Sequence, residues 1–101
     1  MNIIWSAQAR GDLHAIQDFI ARDSHHYAQL IMDRLIDRVE RAAKMPSRGH
    51  PVHEFIESCL REVHEGNYRI IYRVKHDEFQ VVTIAHMKQK ITKRRLRSDK
   101  E

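Results

Sequence analysis

The chain has 101 residues, of which 42% are hydrophobic and 32% are charged. This length and balance predict one folded domain with one core, and they exclude a disordered chain. No apolar run approaches the ~20 residues of a membrane-spanning helix, and the N-terminus lacks the basic region and long apolar stretch of a secretion signal. We therefore expect a cytoplasmic protein with no membrane partner.

The cysteine and histidine content argues against disulfide and metal chemistry. Cys59 is the only cysteine, which excludes an intrachain disulfide and fits a reducing compartment, and we expect its thiol to be buried. The histidines are scattered, and the closest group (His50, His53 and Glu54) lacks the recognisable spacing of a transition-metal site. We expect no metal and no other cofactor.

The first half of the chain predicts a strand followed by two helices. Residues 2–5 form a short apolar strand, and Ser6 is an N-cap for a first helix. Asp23 and Ser24 mark a break before a second helix over residues 25–45, which Pro46 ends. The short link predicts an antiparallel helix hairpin. Apolar residues recur at helical spacing: Ala9, Leu13, Ile16 and Ile20, then Ala28, Ile31, Leu35, Val39 and Ala42, widened by Tyr27, Met32 and Ile36.

The second half predicts a meander of antiparallel strands over residues 60–64, 68–75 and 79–86, with turns at 65–67 and 76–78. Residues 53–58 fit either a helical turn or an irregular approach to the sheet. The predicted fold class is α+β: an N-terminal strand and a two-helix antiparallel hairpin packed on one face of an antiparallel sheet of about four strands, with the other face partly open. We assign residues 1–87 to this domain and residues 88–101 to a basic C-terminal tail.

The basic tail carries most of the excess charge. Residues 88–101 contain seven Lys or Arg residues against two acids, whereas the whole chain has a net charge of only +4. Such a tail attracts nucleic acid or an acidic protein segment. The alternative is a solvated chain end without a binding role.

The strand at residues 68–75 alternates in character. Tyr68, Ile70, Tyr72 and Val74 would face the core, while Arg69, Ile71, Arg73 and Lys75 would face water. Residues of one face lie roughly 7 Å apart along a strand, so the cations would form a row suited to phosphate or carboxylate groups. Arg61 joins this row only if the hairpin register allows it. The alternative is an ordinary solvated face in which Glu62 pairs with one arginine.

The chain resembles the RelE/ParE family of bacterial toxins along nearly its whole length. The most specific segments are LREV at residues 60–63 and GNYRIIYRV at residues 66–74. Residues 4–6, 12–13, 52–55 and 81–86 add weaker similarities in the order and spacing of the family. The resemblance implies the toxin of a type II toxin–antitoxin system, bound and silenced by a cognate antitoxin that covers apolar surface of the hairpin or sheet in a hetero-oligomer.

The family has two branches, and the resemblance leaves the target open. RelE-like members cut mRNA on the ribosome with basic residues and often a C-terminal tyrosine or histidine, whereas ParE-like members block DNA gyrase. Here no tyrosine follows Tyr72, and Gln89 stands about where many RelE-like members carry a second functional arginine. His86 closes the last strand, as in ParE-like members, with either a structural or an acid–base role. We favour the ParE-like branch.

The resemblance and the basic residues together select the candidate site residues. For target binding these are Arg61, Arg69, Arg73, His86, Lys88 and Lys90. For the alternative of a metal-independent ribonuclease, the catalytic candidates are Arg61, Arg69 and His86. A third possibility is an inactive family member that retains only antitoxin binding.

Overall fold

The computed structural model describes residues 1–96. The last residues of the predicted basic tail, 97–101, lie outside the described part. None of the helices in residues 1–96 is both long and apolar enough to span a membrane. The elements in chain order are β1 (Asn2–Trp5), α1 (Ala7–Ala21), α2 (His25–Lys44), β2 (His50–Pro51), β3 (Arg61–Glu65), β4 (Tyr68–Lys75), β5 (Glu78–His86) and α3 (Lys93–Leu96), with 3-10 turns at Pro46–Arg48 and His53–Phe55.

The sheet has the order β1-β5-β4-β3-β2. β1 pairs in parallel with β5, and the other neighbours are antiparallel. The predicted α+β fold with an N-terminal strand and a helix hairpin is confirmed. The additional strand is β2, whose two residues pair with the start of β3.

The helix limits follow from local chemistry that the sequence already showed. The hydroxyl of Ser6 accepts a hydrogen bond from the Ala9 amide at 3.0 Å, and that of Ser24 accepts one from the Tyr27 amide at 3.0 Å. Each hydroxyl satisfies an amide that the first helical turn leaves without a carbonyl partner. Pro46 lies just beyond α2, because its ring cannot continue a helix.

The main core lies between the helix hairpin and one face of the sheet. Its side chains are Ala9, Met32, Leu35, Val39, Ala42, Val63, Ile70, Tyr72, Phe79, Val81 and Ile84. The predicted helix and strand stripes supply most of it, but two residues predicted to widen the stripe of α2 are exposed, Ile36 by 40% and Tyr27 by 50%. The prediction for Val74 is wrong: it is 43% exposed, because it lies near the end of β4.

The opposite face of the sheet is covered over its centre and stays open near Arg73 and Lys75, which agrees with the expectation of a partly open face. A second apolar cluster covers this centre with Val52, Leu60, Ile71, Val82, Ala85 and Ile91. A bulge in β5 contributes, since Ile71 pairs with Thr83 and Tyr72 with Val81, so that Val82 has no cross-strand partner. The bulge shifts the alternation of β5 by one residue, so that Val81 packs with Tyr72 in the main core and Val82 packs with Ile71 in the second cluster.

The residues that cover this second face come from irregular segments. They are the loop between β2 and β3, with Val52 and Leu60, and the segment after β5, with Ile91. The prediction that Cys59 is buried is wrong. Its thiol is exposed, because the chain turns there from the loop into β3.

Candidate target-binding face

Arg61 lies on the helix side of the sheet and not in the predicted row of cations. It pairs with Tyr72 in the β3–β4 ladder, and residues directly opposite each other place their side chains on the same face. Its Nη1 donates to the Gly49 carbonyl at 2.7 Å. The two-residue turn at Gly66 and Asn67 decides this register, since Glu65 pairs with Tyr68. The register that the sequence left open therefore excludes Arg61 from the row.

Arg73 lies on the same face as Arg69 but is half-buried and tied to a neighbour. Its Nε donates to Oε1 of Gln80 at 2.8 Å, and the Gln80 amide in turn donates to Glu78 at 2.9 Å. Lys75 is exposed at the end of β4. Arg73 and Lys75 are thus accessible to a partner at the edge of this face, whereas the centre of the face is taken up by Arg69 and its partners.

Arg69 is buried, with only 7% of its surface exposed. Nε and Nη2 donate to the two carboxylate oxygens of Glu62 at 2.7 and 3.1 Å. Nη1 and Nη2 donate to the two oxygens of Glu54 at 2.9 and 2.8 Å, and Nη1 also donates to the Gln89 carbonyl at 3.2 Å. All five N–H groups of the guanidinium are therefore used. The expectation that Arg69 is displayed to water is wrong, because two carboxylates cover it.

We call Glu54, Glu62 and Arg69 the ion-pair cluster. The hydrogen bonds from Arg69 lower the pKa of Glu54 from 4.5 to about 2. Burial acts to raise the pKa of Glu62, but the hydrogen bonds and charge of Arg69 outweigh it and lower the pKa. The hydrogen bonds to Glu54, and then those to Glu62, raise the pKa of Arg69. At neutral pH all three groups are charged, and the cluster has one excess negative charge.

The ion-pair cluster also binds the segment that follows β5. In addition to the contact between Arg69 and the Gln89 carbonyl, the amide of Ile91 donates to Oε2 of Glu54 at 3.0 Å. The Ile91 side chain is 3% exposed in the second apolar cluster. Residues 89–91 are therefore held against the sheet, although they belong to the predicted basic tail.

Lys88 and Lys90 lie on this held segment and are exposed. They border an open groove of about 510 Å³ above the ion-pair cluster. His86 is not part of this groove: its ring packs edge-on against the Tyr68 ring, 5.9 Å away, and its Nδ1 accepts from the Lys88 amide at 3.2 Å. The groove is lined by His53, Glu54, Glu62, His64, Arg69, Met87, Lys88, Gln89 and Lys90.

A second polar cluster, between Arg95 and Asp12, attaches α3 to β5. Nη2 of Arg95 in α3 donates to Oδ1 of Asp12 at 2.9 Å, to the Thr83 hydroxyl at 3.1 Å and to the Ile84 carbonyl at 3.0 Å. The other oxygen of Asp12 accepts from the Thr83 hydroxyl at 2.5 Å and from the Ile84 amide at 2.9 Å. Asp12 thereby satisfies the edge of β5 beyond the point where its pairing with β1 ends.

Sequence reasoning missed two of the acids that organise this face. Glu62 was foreseeable as an arginine partner, since the hairpin brings β3 beside β4. Glu54 and Asp12 were not, because each meets its arginine across a long stretch of chain and neither has a local pattern that signals the contact. Among residues 1–96, no group of three His, Cys, Asp or Glu residues is arranged to hold a metal ion.

The fold and this face together define a small α+β domain of the RelE/ParE type. A chain from "Chromosomal ParDE TA system from P. aeruginosa" has a TM-score of 0.74 at 20% sequence identity, covering 87% of this chain and 97% of that one. A chain of the RelBE2 toxin–antitoxin complex from Mycobacterium tuberculosis has a TM-score of 0.55 at 19% identity, covering 84% and 95%. At these identities the likeness concerns the fold.

The sequence itself assigns the family. Residues 3–91 match the family model of the ParE toxin of the type II toxin–antitoxin system parDE. Comparison with curated proteins finds no sequence relative. The chain belongs to the ParE toxin family, and the predicted resemblance to RelE/ParE toxins, nearer the ParE-like branch, is confirmed.

Proposed function

We propose that this toxin acts by binding DNA gyrase and inhibiting it, that a cognate antitoxin neutralises it, and that it works in the cytoplasm without cleaving mRNA. The observation that carries the proposal is the complete use of the Arg69 guanidinium within the protein. The ParE family assignment is the second support.

The arrangement of the nuclease candidates argues against RNA cleavage. A guanidinium that stabilises a phosphorane-like transition state needs free N–H groups directed at the phosphate oxygens. Those of Arg69 are directed at Glu54 and Glu62, and the excess negative charge of the cluster would repel a phosphate. Arg61 lies on the other face, and the His86 ring lies against Tyr68 outside the groove. The three candidates do not converge on one reacting group.

Binding is the activity for which this face remains suited. Lys88 and Lys90 are exposed charges on a segment with fixed contacts at residues 89 and 91. Because the main chain beside these lysines is already ordered, their binding to an acidic protein surface costs only the freedom of the two side chains. Arg73 extends the positive charge along β4, while the roles predicted for Arg61 and Arg69 become structural.

The antitoxin would bind elsewhere, on the exposed apolar side chains of the helix hairpin and β1. These are distinct from the basic groove and include Ile4, Phe19, Tyr27, Leu30 and Ile36. An exposed apolar set of this kind is typical of a protein interaction surface. The ParDE and RelBE2 neighbours come from toxin–antitoxin systems, which supports a hetero-oligomer with an antitoxin.

The proposal is tested by two assays on the purified wild-type chain. We expect inhibition of DNA supercoiling by gyrase and intact mRNA on translating ribosomes. Lys88→Ala and Lys90→Ala should each weaken the inhibition, whereas Lys44→Ala, the same change at an exposed lysine at the end of α2, should not. Cleavage of mRNA with active gyrase would overturn the proposal, and expression without growth arrest would favour a member that only binds antitoxin.

A further inference from the structure

The segment that carries Lys88 and Lys90 has no strand or helix to hold its shape. Residues 87–92 lie between β5 and α3. The Met87 amide donates to the Asn67 carbonyl at 2.7 Å, and the Gln89 amide donates to the His86 carbonyl at 2.9 Å, which closes a turn. Beyond this turn, the path of the main chain depends on contacts with side chains from other parts of the fold.

Those contacts come from the ion-pair cluster. Arg69 donates to the carbonyl of Gln89, and Glu54 accepts from the amide of Ile91, so that one ion pair contacts the main chain on both sides of Lys90. The Glu54 carboxylate has a fixed orientation, because both of its oxygens accept from Arg69. Its position therefore determines where Lys90 and its neighbour Lys88 leave the surface.

We propose that Glu54 is a positioning residue for the target-binding surface, and that its bond to the Ile91 amide holds Lys88 and Lys90 in the arrangement that binds acidic groups of the target. This inference rests on the function proposed above and adds a residue that does not itself touch the target. Glu54 is negatively charged, so its charge alone would not suggest a role in a basic binding site. It acts indirectly, by fixing the arrangement of the cations.

The chemistry of Glu54 makes the inference testable with an isosteric change. In Glu54→Gln an NH₂ donor replaces one of the two acceptor oxygens. The groups that face it, from Arg69 and the Ile91 amide, are also donors, so they cannot bond to it. At least one of the three bonds is lost, and a bond that the remaining oxygen keeps to the Ile91 amide is weaker, because it no longer involves a charged carboxylate. Arg69 remains paired with Glu62, so the buried guanidinium keeps a countercharge and the fold is retained.

The experiment compares wild type, Glu54→Gln and Glu57→Gln, the last being the same change at an exposed glutamate of the same loop. Hydrogen exchange at the Ile91 amide, gyrase inhibition and antitoxin affinity are measured for each. We expect Glu54→Gln to speed the Ile91 exchange and to raise the inhibitory concentration, by at most about tenfold each, because the Ile91 amide loses its bond to a charged group and keeps at best one to a neutral amide oxygen. Antitoxin affinity should stay unchanged, and Glu57→Gln should behave as wild type.

A second variant removes the bond from the other side. The native Cys59 is exposed and allows the chain to be assembled by ligation of residues 1–58 to a synthetic peptide of residues 59–101. An ester in place of the amide at residue 91 deletes the N–H group and keeps the Ile91 side chain and the whole ion-pair cluster. This chain should lose inhibition at least as strongly as Glu54→Gln, because no donor remains at residue 91.

The outcomes separate the two claims. A wild-type chain that leaves gyrase active would end the proposed function and this inference with it. A wild-type chain that inhibits, together with unchanged inhibition in Glu54→Gln or in the ester at residue 91, would overturn the positioning role alone. Equal losses of inhibition and of antitoxin affinity would also overturn it, because they would show a general loss of structure.

Discussion

The face of the sheet beneath α1 and α2 buries a cluster of eleven residues, whereas the opposite face buries six and is covered by irregular segments. The helix side is held by apolar packing of regular elements. The opposite side joins a small apolar cluster to the ion-pair cluster, in which Arg69 binds two carboxylates and the Gln89 carbonyl. Apolar contact is non-directional, whereas hydrogen-bonded charges define positions closely. The second face is therefore suited to present a binding segment in one arrangement.

The largest expected effect of a single change is at Arg69. Arg69→Met leaves the buried Glu62 and the partly buried Glu54 without their arginine and should lower the free energy of unfolding by about 3–5 kcal/mol. Urea denaturation at neutral pH measures this. An unchanged free energy of unfolding would show that apolar packing alone holds the second face.

A core change on the helix side should cost somewhat less. Leu35 is fully buried, and Leu35→Ala should lower the free energy of unfolding by about 2–5 kcal/mol through lost transfer energy and a residual cavity. The neighbouring Ile36→Ala is the matched control, because Ile36 is 40% exposed. Equal losses at both positions would contradict the assignment of the buried face of α2.

The pH dependence of stability should distinguish the two faces. The pKa of Glu54 is about 2 in the folded chain and 4.5 otherwise, so the unfolded chain binds protons first as the pH falls. The stabilisation by Glu54 is complete above about pH 4.5 and is lost between 4.5 and 2. Denaturation series of wild type and Glu54→Gln should therefore converge as the pH falls through this range. Curves of wild type and Glu54→Gln that stay parallel would contradict this expectation. As the control, Leu35→Ala should differ from wild type by a constant free energy over the same pH range.

The smallest effect is expected at Arg73, four residues after Arg69 on the same face of β4. Arg73→Met removes a half-exposed hydrogen bond to Gln80 and should change the free energy of unfolding by no more than about 1 kcal/mol. The same urea experiment measures it. A loss as large as that of Arg69→Met would show that burial and pairing do not separate these two arginines.

Much of the fold could be predicted because it depends on local rules. Ser6 and Ser24 cap helices, Pro46 follows the end of the second, and alternation along residues 68–72 defines a strand. The candidate site was predicted less well. Lys88 and Lys90 are exposed as expected, but Arg69 is buried, Arg61 lies on the other face, and the His86 ring lies outside the groove.

The sequence by itself determined the helices, the strands and the ParE-like family, because hydrophobic periodicity and capping act between residues close in the chain. Only the tertiary structure decided which cations are free. A one-residue change of register moves a side chain to the opposite face, and the partner of Arg69 that holds the C-terminal segment, Glu54, comes from a loop far from it in sequence. The sequence contains the charged residues, but whether each one can bind a partner depends on which distant groups neutralise it.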